Sequence, residues 1–231
     1  MIMINRRRIC GGTSIKNPYI TDGLVFYLDG EYNNGFASHE SDINYWKELV
    51  SGMNLQPSGT ISWGDNYGYF NGNSYFDITI FGANIVPLIN NNTIYIEMIL
   101  KPVNHGSQGN NGYIAFGNNV RGVWLWDNPG YQYASYAYKR DTYDPITLYG
   151  WSGQKKINRI LISPNKVTID RDNNKSNNNS TVKSNNCYIG CLPGFGNGIF
   201  RLYCLRVYNR VLSANEVSAN YTIDQQRFGI I

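Results

Sequence analysis

The chain has 231 residues, of which 42% are hydrophobic and 16% are charged, and its formal net charge is +4. This length suits one large β domain or two small ones, and it buries enough surface to need neither disulfides nor a structural metal. The mild charge does not favour a nucleic-acid groove, and the longest apolar runs are too short to cross a bilayer. We therefore expect a globular protein that binds no nucleic acid and does not insert into a membrane.

The first twenty residues lack the alternation of a strand and end at the turn-forming sequence Asn17-Pro18-Tyr19. Residues 1–20 are predicted to form an arm or linker ahead of a single domain at 21–231. The basic cluster Arg6, Arg7 and Arg8 makes this arm a candidate for docking to a partner protein. These charges follow the few apolar residues instead of preceding them, so a secretory signal is not expected.

The body begins with a predicted strand, GLVFYLDG, in which Leu24, Phe26 and Leu28 fall on one face. Many short strand-like runs follow, separated by Gly- and Asn-rich turns. Asn71-Gly72 predicts a hairpin, and further turns are predicted at 127–130 (DNPG) and 163–165 (SPN). The polar run 170–186 is predicted to be a loop, and no long helix is predicted before residue 213. Many short strands with regular turns favour a sandwich or a barrel.

The stretch FRLYCLRVY, residues 200–208, predicts a central strand because both of its faces are apolar. Strict alternation puts Phe200, Leu202 and Cys204 on one face. Ser213 and Glu216 then form an S-x-x-E capping box, which predicts a helix of one to two turns followed by an extended segment.

Both ends of the body resemble a known family. LRVYNRVLSANEVSANY followed by DQQRF is similar to the ending of laminin-G-like domains, R-[IV]-Y-N-R-x-L-S-x-x-E-[IV]-x-x-N-Y, a branch of the concanavalin A-like lectin/glucanase superfamily. GLVFYLDGEYNNG with YWKELVSGMN resembles the opening of that branch, where the first strand leads to a W-x-D-L-S-G-N-like turn. YFNGNSYFDI and TIYIEMIL resemble the next two elements, so that the likeness covers about residues 23–228.

The resemblance implies an all-β fold, a jelly roll of two antiparallel sheets whose first and last strands are neighbours. It also implies binding of glycans or protein partners. The glucanase members carry an E-x-D-x-x-E strand, whereas the five glutamates here, Glu31, Glu40, Glu48, Glu97 and Glu216, never occur in that spacing. Because glycoside hydrolysis needs two carboxyls at a defined separation, we predict that the protein is not an enzyme.

The densest aromatic tract, residues 123–144, supplies the candidate carbohydrate-binding residues. They are Trp124, Trp126, Tyr131, Tyr133, Tyr136 and Tyr138. Aromatic rings offer an apolar plate with a polar tip, which suits the C–H faces and hydroxyls of a sugar. The alternative is that these rings fill the interior of the sandwich.

No cofactor is predicted, although calcium stays open because some laminin-G-like domains bind it. Asp29, Asp65 and Asp127 lie near predicted turns, but no dense acidic loop accompanies them, so turn formation is the simpler interpretation. The four cysteines, Cys10, Cys187, Cys191 and Cys204, lack the spacing of a zinc site and are interpreted as small core residues.

These observations predict a non-catalytic bacteriophage protein, a virion surface or fibre component, whose sandwich binds host-surface glycans. The arm would dock it to other virion structural proteins, and a second copy of the chain is a further partner. The alternative location is a bacterial cell surface or the extracellular space. Two other functions stay open: a purely structural module that binds no sugar, and a carbohydrate-active enzyme.

Overall fold

The protein is described by a computed structural model that covers residues 17–91, 93–103, 111–117, 122–128, 134–139, 146–148, 156–163, 166–170, 174–177, 184–192, 194 and 196–230. Between residues 122 and 177, side chains are described only at 159–161. The described chain forms two large, mainly antiparallel sheets, a small two-stranded sheet, two α-helices and a short 3-10 helix, Gly30–Tyr32. The prediction of an all-β sandwich with a C-terminal helix is therefore confirmed.

The first sheet holds the two ends of the fold side by side. Its strands are β1 (Leu24–Asp29), β5 (Ser62–Gly64), β6 (Tyr67–Asn71), β8 (Ile94–Pro102), β13 (Lys156–Ser163), β14 (Lys166–Asp170), β15 (Asn174–Asn177) and β19 (Ile199–Tyr208). They lie in the order β15-β14-β13-β8-β19-β6-β5, and β1 also pairs with β19. The predicted contact between the first and last strands is thus confirmed, since Leu28 lies opposite Leu205.

The second sheet packs over the first. Its strands are β4 (Pro57–Ser58), β7 (Tyr75–Asp77), β9 (Asn111–Gly117), β10 (Gly122–Asn128), β11 (Ala134–Lys139), β12 (Ile146–Leu148), β16 (Cys187–Ile189), β17 (Cys191–Leu192) and β18 (Gly196–Asn197). The main order is β12-β11-β10-β9-β16-β7-β4, with the β17–β18 pair beside β9. The small third sheet consists of β2 (Trp46–Lys47) and β3 (Asn54–Leu55).

β19 is the central strand of the first sheet, as its apolar faces predicted. It pairs with β8 on one side and with β1 and β6 on the other. The predicted face of Cys204 is wrong, because the register with β8 shifts between Leu202 and Cys204. This irregularity inserts one extra residue. Leu202 and Leu205 therefore face the core between the sheets, while Cys204 packs on the opposite side with Tyr203.

A continuous apolar core fills the space between the sheets, and aromatic rings interlock within it. Phe70 stacks on Phe200 with ring centroids 4.4 Å apart, and Trp46 meets Trp63 edge to face at 4.9 Å. Trp46 is the tryptophan of the predicted turn, and the Glu48 carboxylate completes that turn by accepting hydrogen bonds from three backbone N–H groups. Burial of this kind contributes about 25 cal/mol per Å² of apolar surface.

Helix α1 (Thr79–Asn91) contradicts the prediction that no long helix precedes residue 213. Gly82 and Pro87 are poor helix formers and conceal it in the sequence. However, Phe81, Ile85 and Ile89 recur every four residues, and all three join the core between the sheets. Tertiary packing of this apolar stripe therefore outweighs weak local propensity.

Helix α2 (Ala214–Phe228) has 15 residues, so the prediction of one to two turns followed by an extended segment is wrong. The predicted capping box is confirmed: Ser213 Oγ accepts from Glu216 N at 3.4 Å, and the Glu216 carboxylate accepts from Ser213 N at 2.8 Å. Gly229 ends the helix in the left-handed conformation, at φ 59°. α2 lies on the outer face of the first sheet, since Phe228 packs there with Tyr203.

Two predicted turns have different outcomes. The two arms of the predicted turn at 163–165 pair as expected, because β13 and β14 are antiparallel neighbours with Ser163 opposite Lys166. Asn71-Gly72 does form a turn, with Gly72 at φ 85°, but β6 and β7 belong to different sheets, so the predicted hairpin is wrong. Within the polar run at 170–186, residues 174–177 form strand β15 at the edge of the first sheet. No helix of the described residues is long and apolar enough to cross a membrane.

Candidate functional site

The candidate tryptophans and two of the candidate tyrosines lie on neighbouring strands of the second sheet. β10 pairs with β11 so that Trp124 lies opposite Tyr138 and Trp126 lies opposite Tyr136. Residues directly opposite each other in an antiparallel pair share one face of the sheet. The backbone register therefore assigns all four residues to the same face.

The neighbouring strands identify that face. Ala115 in β9 lies opposite Trp124 on one side and opposite Tyr188 of β16 on the other. Ile114 and Ile189, the next residues along those strands, belong to the core between the sheets. Because side chains alternate along a strand, the row through Ala115 belongs to the outer face of the second sheet.

Tyr188 is the member of this face whose side chain is described. It is half-buried, and its ring meets Tyr75 edge to face with centroids 6.1 Å apart. Burial, aided by the charge of Asp77, raises the pKa of Tyr188, so its hydroxyl stays neutral and can both donate and accept a hydrogen bond. The term aromatic face denotes Trp124, Trp126, Tyr136, Tyr138 and Tyr188 below.

The other candidate residues lie outside the described part of the chain. Tyr131 and Tyr133 precede β11, which begins at Ala134, and Arg6, Arg7 and Arg8 precede residue 17. Their roles stay predictions.

The outer face of the first sheet is covered by α2 and carries a buried ion network that the sequence analysis missed. Arg206 of β19 binds Glu97 of β8 through Nε at 3.0 Å. Its two terminal nitrogens bind the Asp224 carboxylate of α2 at 2.8 and 2.5 Å. All three residues are fully buried. Burial acts to lower the pKa of Arg206, but the surrounding negative charges raise it well above its ordinary value.

A second guanidinium holds the end of α2 to the first strand. Arg227 binds both carboxylate oxygens of Asp29, at 2.7 and 2.9 Å, and also binds Glu31 at 3.0 Å. Asp29 accepts a further short hydrogen bond from the Tyr27 hydroxyl. Bidentate pairs of this kind fix geometry as well as charge. The Asp29–Arg227 ion pair therefore connects the end of the first strand, in the sequence LDG, to the end of α2, in the sequence QRF.

Tyr19 joins the two ion networks. Its hydroxyl donates to Asp224 at 2.7 Å and accepts from Arg227 at 3.0 Å, while its ring lies 3.8 Å from the Arg206 guanidinium carbon. Ile20 N also donates to Asn220 of α2 at 3.1 Å. Residues 19 and 20, at the end of the predicted arm, are thus packed against α2. Burial raises the pKa of Tyr19, which keeps its hydroxyl a donor.

The ion networks affect the three aspartates considered as calcium ligands, Asp29, Asp65 and Asp127. Asp29 has both carboxylate oxygens bound to Arg227, so it is not available as a calcium ligand. Asp65 lies in the first sheet's β5–β6 turn, whereas Asp127 lies in β10 of the second sheet. No cluster of three or more metal-binding side chains occurs within the described residues.

The described cysteines are free thiols. Burial raises the pKa of Cys187 to about 12, Asp77 adding to it, and burial raises that of Cys204 well above its ordinary value. Both are fully buried, in agreement with their interpretation as core residues, whereas Cys191 is half-buried.

No family model matches the chain, and no curated protein sequence matches it. Solved structures do match it, among them several at 12–14% identity. The receptor-binding domain of botulinum neurotoxin C/D mosaic serotype has a TM-score of 0.65 at 13% identity, over 90% of this chain and 53% of that chain. Trypanosoma rangeli sialidase, solved with sialic acid, has a TM-score of 0.60 at 13% identity, over 90% of this chain and 34% of that chain.

A third structure is similar over nearly its whole length. Domain 4 of AbnA, an extracellular GH43 arabinanase from Geobacillus stearothermophilus in complex with arabinotriose, has a TM-score of 0.61 at 13% identity. The match covers 84% of this chain and 96% of that domain. By contrast, the chain spans about a third of the sialidase and about half of the toxin domain. At these identities the likeness shows a shared β-sandwich fold.

Proposed function

We propose that the chain is a non-catalytic, glycan-binding module of the laminin-G-like type. The observation that carries the proposal is the backbone register, which assigns Trp124, Trp126, Tyr136 and Tyr138 to the outer face of the second sheet, beside Tyr188. That face lies on the side of the sandwich opposite α2. One face of a sheet can present several aromatic residues to the same ligand from a rigid scaffold, which suits a sugar.

The fold comparisons support the same class of ligand. Sialic acid accompanies the sialidase structure and arabinotriose accompanies the arabinanase domain. The match to the arabinanase domain covers most of both chains. A sandwich that binds a short saccharide is therefore the function that we infer.

Catalysis is a weaker candidate for a specific reason. Three carboxylate pairs among the described residues are each bound to an arginine: Glu97 and Asp224 to Arg206, Asp29 and Glu31 to Arg227, and Asp22 and Glu216 to Arg210. Hydrolysis of a glycosidic bond needs two carboxyls that reach the sugar from opposite sides. These carboxylates serve to hold α2 on the sheet instead.

The proposal also includes where the protein occurs. We favour a bacteriophage virion surface or fibre protein, in which the basic arm contacts other virion proteins and the aromatic face is turned outward. A purely structural module is the second candidate, in which the aromatic face would be buried between copies of the chain.

Binding to a glycan array tests the proposal. The double variant Trp124→Ala/Trp126→Ala is expected to reduce array signals at least about tenfold, since two stacked rings at roughly 1 kcal/mol each exceed the roughly 1.4 kcal/mol that corresponds to tenfold. Tyr45→Ala is the control, because Tyr45 is half-buried in the loop before β2 and bonds only to Asn34 among the contacts described.

A wild-type protein without any glycan signal would contradict the proposal, as would tryptophan variants that bind like the wild type. Light scattering on the same variants separates the second candidate. If the aromatic face joins copies of the chain, the substitutions lower the molar mass in solution.

A further inference from the structure

A second surface of the molecule has the composition of an anion site. Four residues form one transverse row on the outer face of the first sheet, beyond the end of α2. They are Ser62 in β5, Tyr69 in β6, Arg201 in β19 and Lys101 in β8, each directly opposite the next. We call them the basic row. The buried Phe70 and Leu202 alternate with them and belong to the core, so the row lies on the outer face.

The charges in this row are of one sign. Arg201 and Lys101 lie directly opposite each other, and like charges in that position destabilise a sheet. Neither side chain forms an ion pair with any residue that the structure describes. Every other arginine with a described side chain has a carboxylate partner, as Arg206 and Arg227 illustrate. Among the arginines with described side chains, Arg201 is therefore the exception, since it has no carboxylate partner among the described residues.

The Arg201 side chain is held in place. Its guanidinium carbon lies 4.7 Å from the centroid of the Tyr67 ring, and Tyr67 in turn packs against Tyr203 at 5.4 Å. The Arg201 Nε–H is buried and has no hydrogen-bond acceptor. The guanidinium also forms a hydrogen bond with the Tyr203 side chain, so its position on the sheet is fixed before a ligand binds.

We propose that the basic row binds the carboxylate of an acidic saccharide. Arg201 and Lys101 supply donors to the carboxylate, the half-buried Tyr69 ring packs against the sugar's C–H face, and the exposed Ser62 hydroxyl reaches its hydroxyls. A nucleic acid would need a longer stripe of cations to follow successive phosphates, whereas two cations beside one ring match a single acidic sugar. This site lies on the side of the sandwich opposite the aromatic face and does not depend on it.

Calorimetric titration with 3′-sialyllactose, and with lactose as the neutral match, tests the proposal. The wild type is expected to bind the acidic trisaccharide more tightly than lactose and to lose this preference at high salt. The variant Lys101→Gln/Arg201→Gln is expected to bind 3′-sialyllactose at least about tenfold more weakly, because both charge-assisted hydrogen bonds to the carboxylate are lost. Arg201→Lys should keep part of the affinity.

Lys47→Gln is the matched control, since Lys47 is a half-buried lysine in β2, outside the basic row. Thermal unfolding checks that each variant is folded. Titrations in a Trp124→Ala/Trp126→Ala background separate this site from the aromatic face: binding retained there supports the basic row even if the proposed function fails.

Three results would overturn the proposal. The first is equal affinity of the wild type and the double glutamine variant for 3′-sialyllactose. The second is competition by inorganic phosphate at the same concentration as the saccharide, which would show a general anion patch. The third is tighter binding of a single-stranded oligonucleotide.

Discussion

Arg206 determines how the C-terminal helix is attached to the sheet. Its guanidinium lies between Glu97 and Asp224, all three being fully buried, and it faces the ring of Tyr19. Taking charges out of water is costly, and only close pairing with full hydrogen bonding offsets that cost. The main effect of this network is therefore to fix the position of α2 on the sheet. Its net contribution to stability is small.

Removal of this cation is predicted to be far more damaging than removal of the whole network. Arg206→Met leaves the buried Asp224 carboxylate without its cation and leaves Glu97 with Arg159, whose Nε lies 3.6 Å from Glu97 Oε1. It is expected to lower the free energy of unfolding by about 3–5 kcal/mol. The triple variant Glu97→Leu/Arg206→Met/Asp224→Leu removes all three charges and is expected to recover most of that loss. Urea denaturation measures both; a triple variant less stable than Arg206→Met would contradict the argument.

The side-chain contacts of some residues can be predicted from the sequence, and those of others cannot. Ser213 and Glu216 were identified as a capping box because their partners lie three residues apart. Glu97, Arg206 and Asp224 were not recognised as a unit, because Glu97 and Arg206 are separated by 109 residues. Nothing local marks a charge as buried. A charged residue within an otherwise apolar strand is the sequence feature that indicates a buried ion pair.

At the scale of elements, the N-terminus of α2 depends on Ser213 and Glu216, and Glu216 also pairs with Arg210 at 2.6 Å. The hydrogen bonds from Arg210 and Ser213 lower the pKa of Glu216 to about 2. Because the folded pKa lies below the unfolded value of about 4.3, the stabilising contribution is fully present above about pH 4.5. It is lost as the pH falls from there towards about 2.

Ser213→Ala is predicted to lower the free energy of unfolding by about 1 kcal/mol at neutral pH. Ser218→Ala is the control, since Ser218 is exposed within the same helix and alanine is a better helix former. Glu216→Gln should flatten the decline of stability between about pH 4.5 and pH 2. A decline as steep as that of the wild type would show that other carboxylates dominate it.

The two helices show where element prediction fails. α2 was underestimated because Asn, Thr, Asp and Gln fill its last turns, and these residues do not form an obvious apolar stripe. α1 was missed because Pro87 lies inside it. In both cases the helix is stabilised by what it covers: the outer face of the first sheet for α2, and the core between the sheets for α1.

At the scale of the whole molecule, residues 17–20 belong structurally to the sandwich, through Tyr19 and Ile20. Tyr19→Phe is expected to lower the free energy of unfolding by about 1–3 kcal/mol, because Asp224 and Arg227 then lose a buried hydrogen-bond partner.

Because Tyr19 and Ile20 contact α2, truncations that end before and after these two residues have different expected effects. Under the virion role proposed above, deletion of residues 1–16 is expected to abolish incorporation into particles. Deletion of residues 1–20 also removes the contacts of Tyr19 and Ile20 with α2 and is therefore expected to lower the melting temperature. Particle incorporation that survives loss of residues 1–16 would count against docking by Arg6, Arg7 and Arg8. A melting temperature unaffected by loss of 1–20 would contradict the contact between Tyr19 and α2.

The sequence by itself determined the strand-rich class, the central position of β19 and the cap of α2, since alternation and capping depend on residues close together along the chain. The pairing of β1 with β19 was implied by the resemblance to laminin-G-like domains. The tertiary structure alone decided which face Cys204 occupies, how the candidate aromatic residues of β10 and β11 line up, and which charges meet beneath α2. A register shift of one residue reverses a face, and partners a hundred residues apart are chosen by the packing of whole sheets. Local patterns do not contain that information.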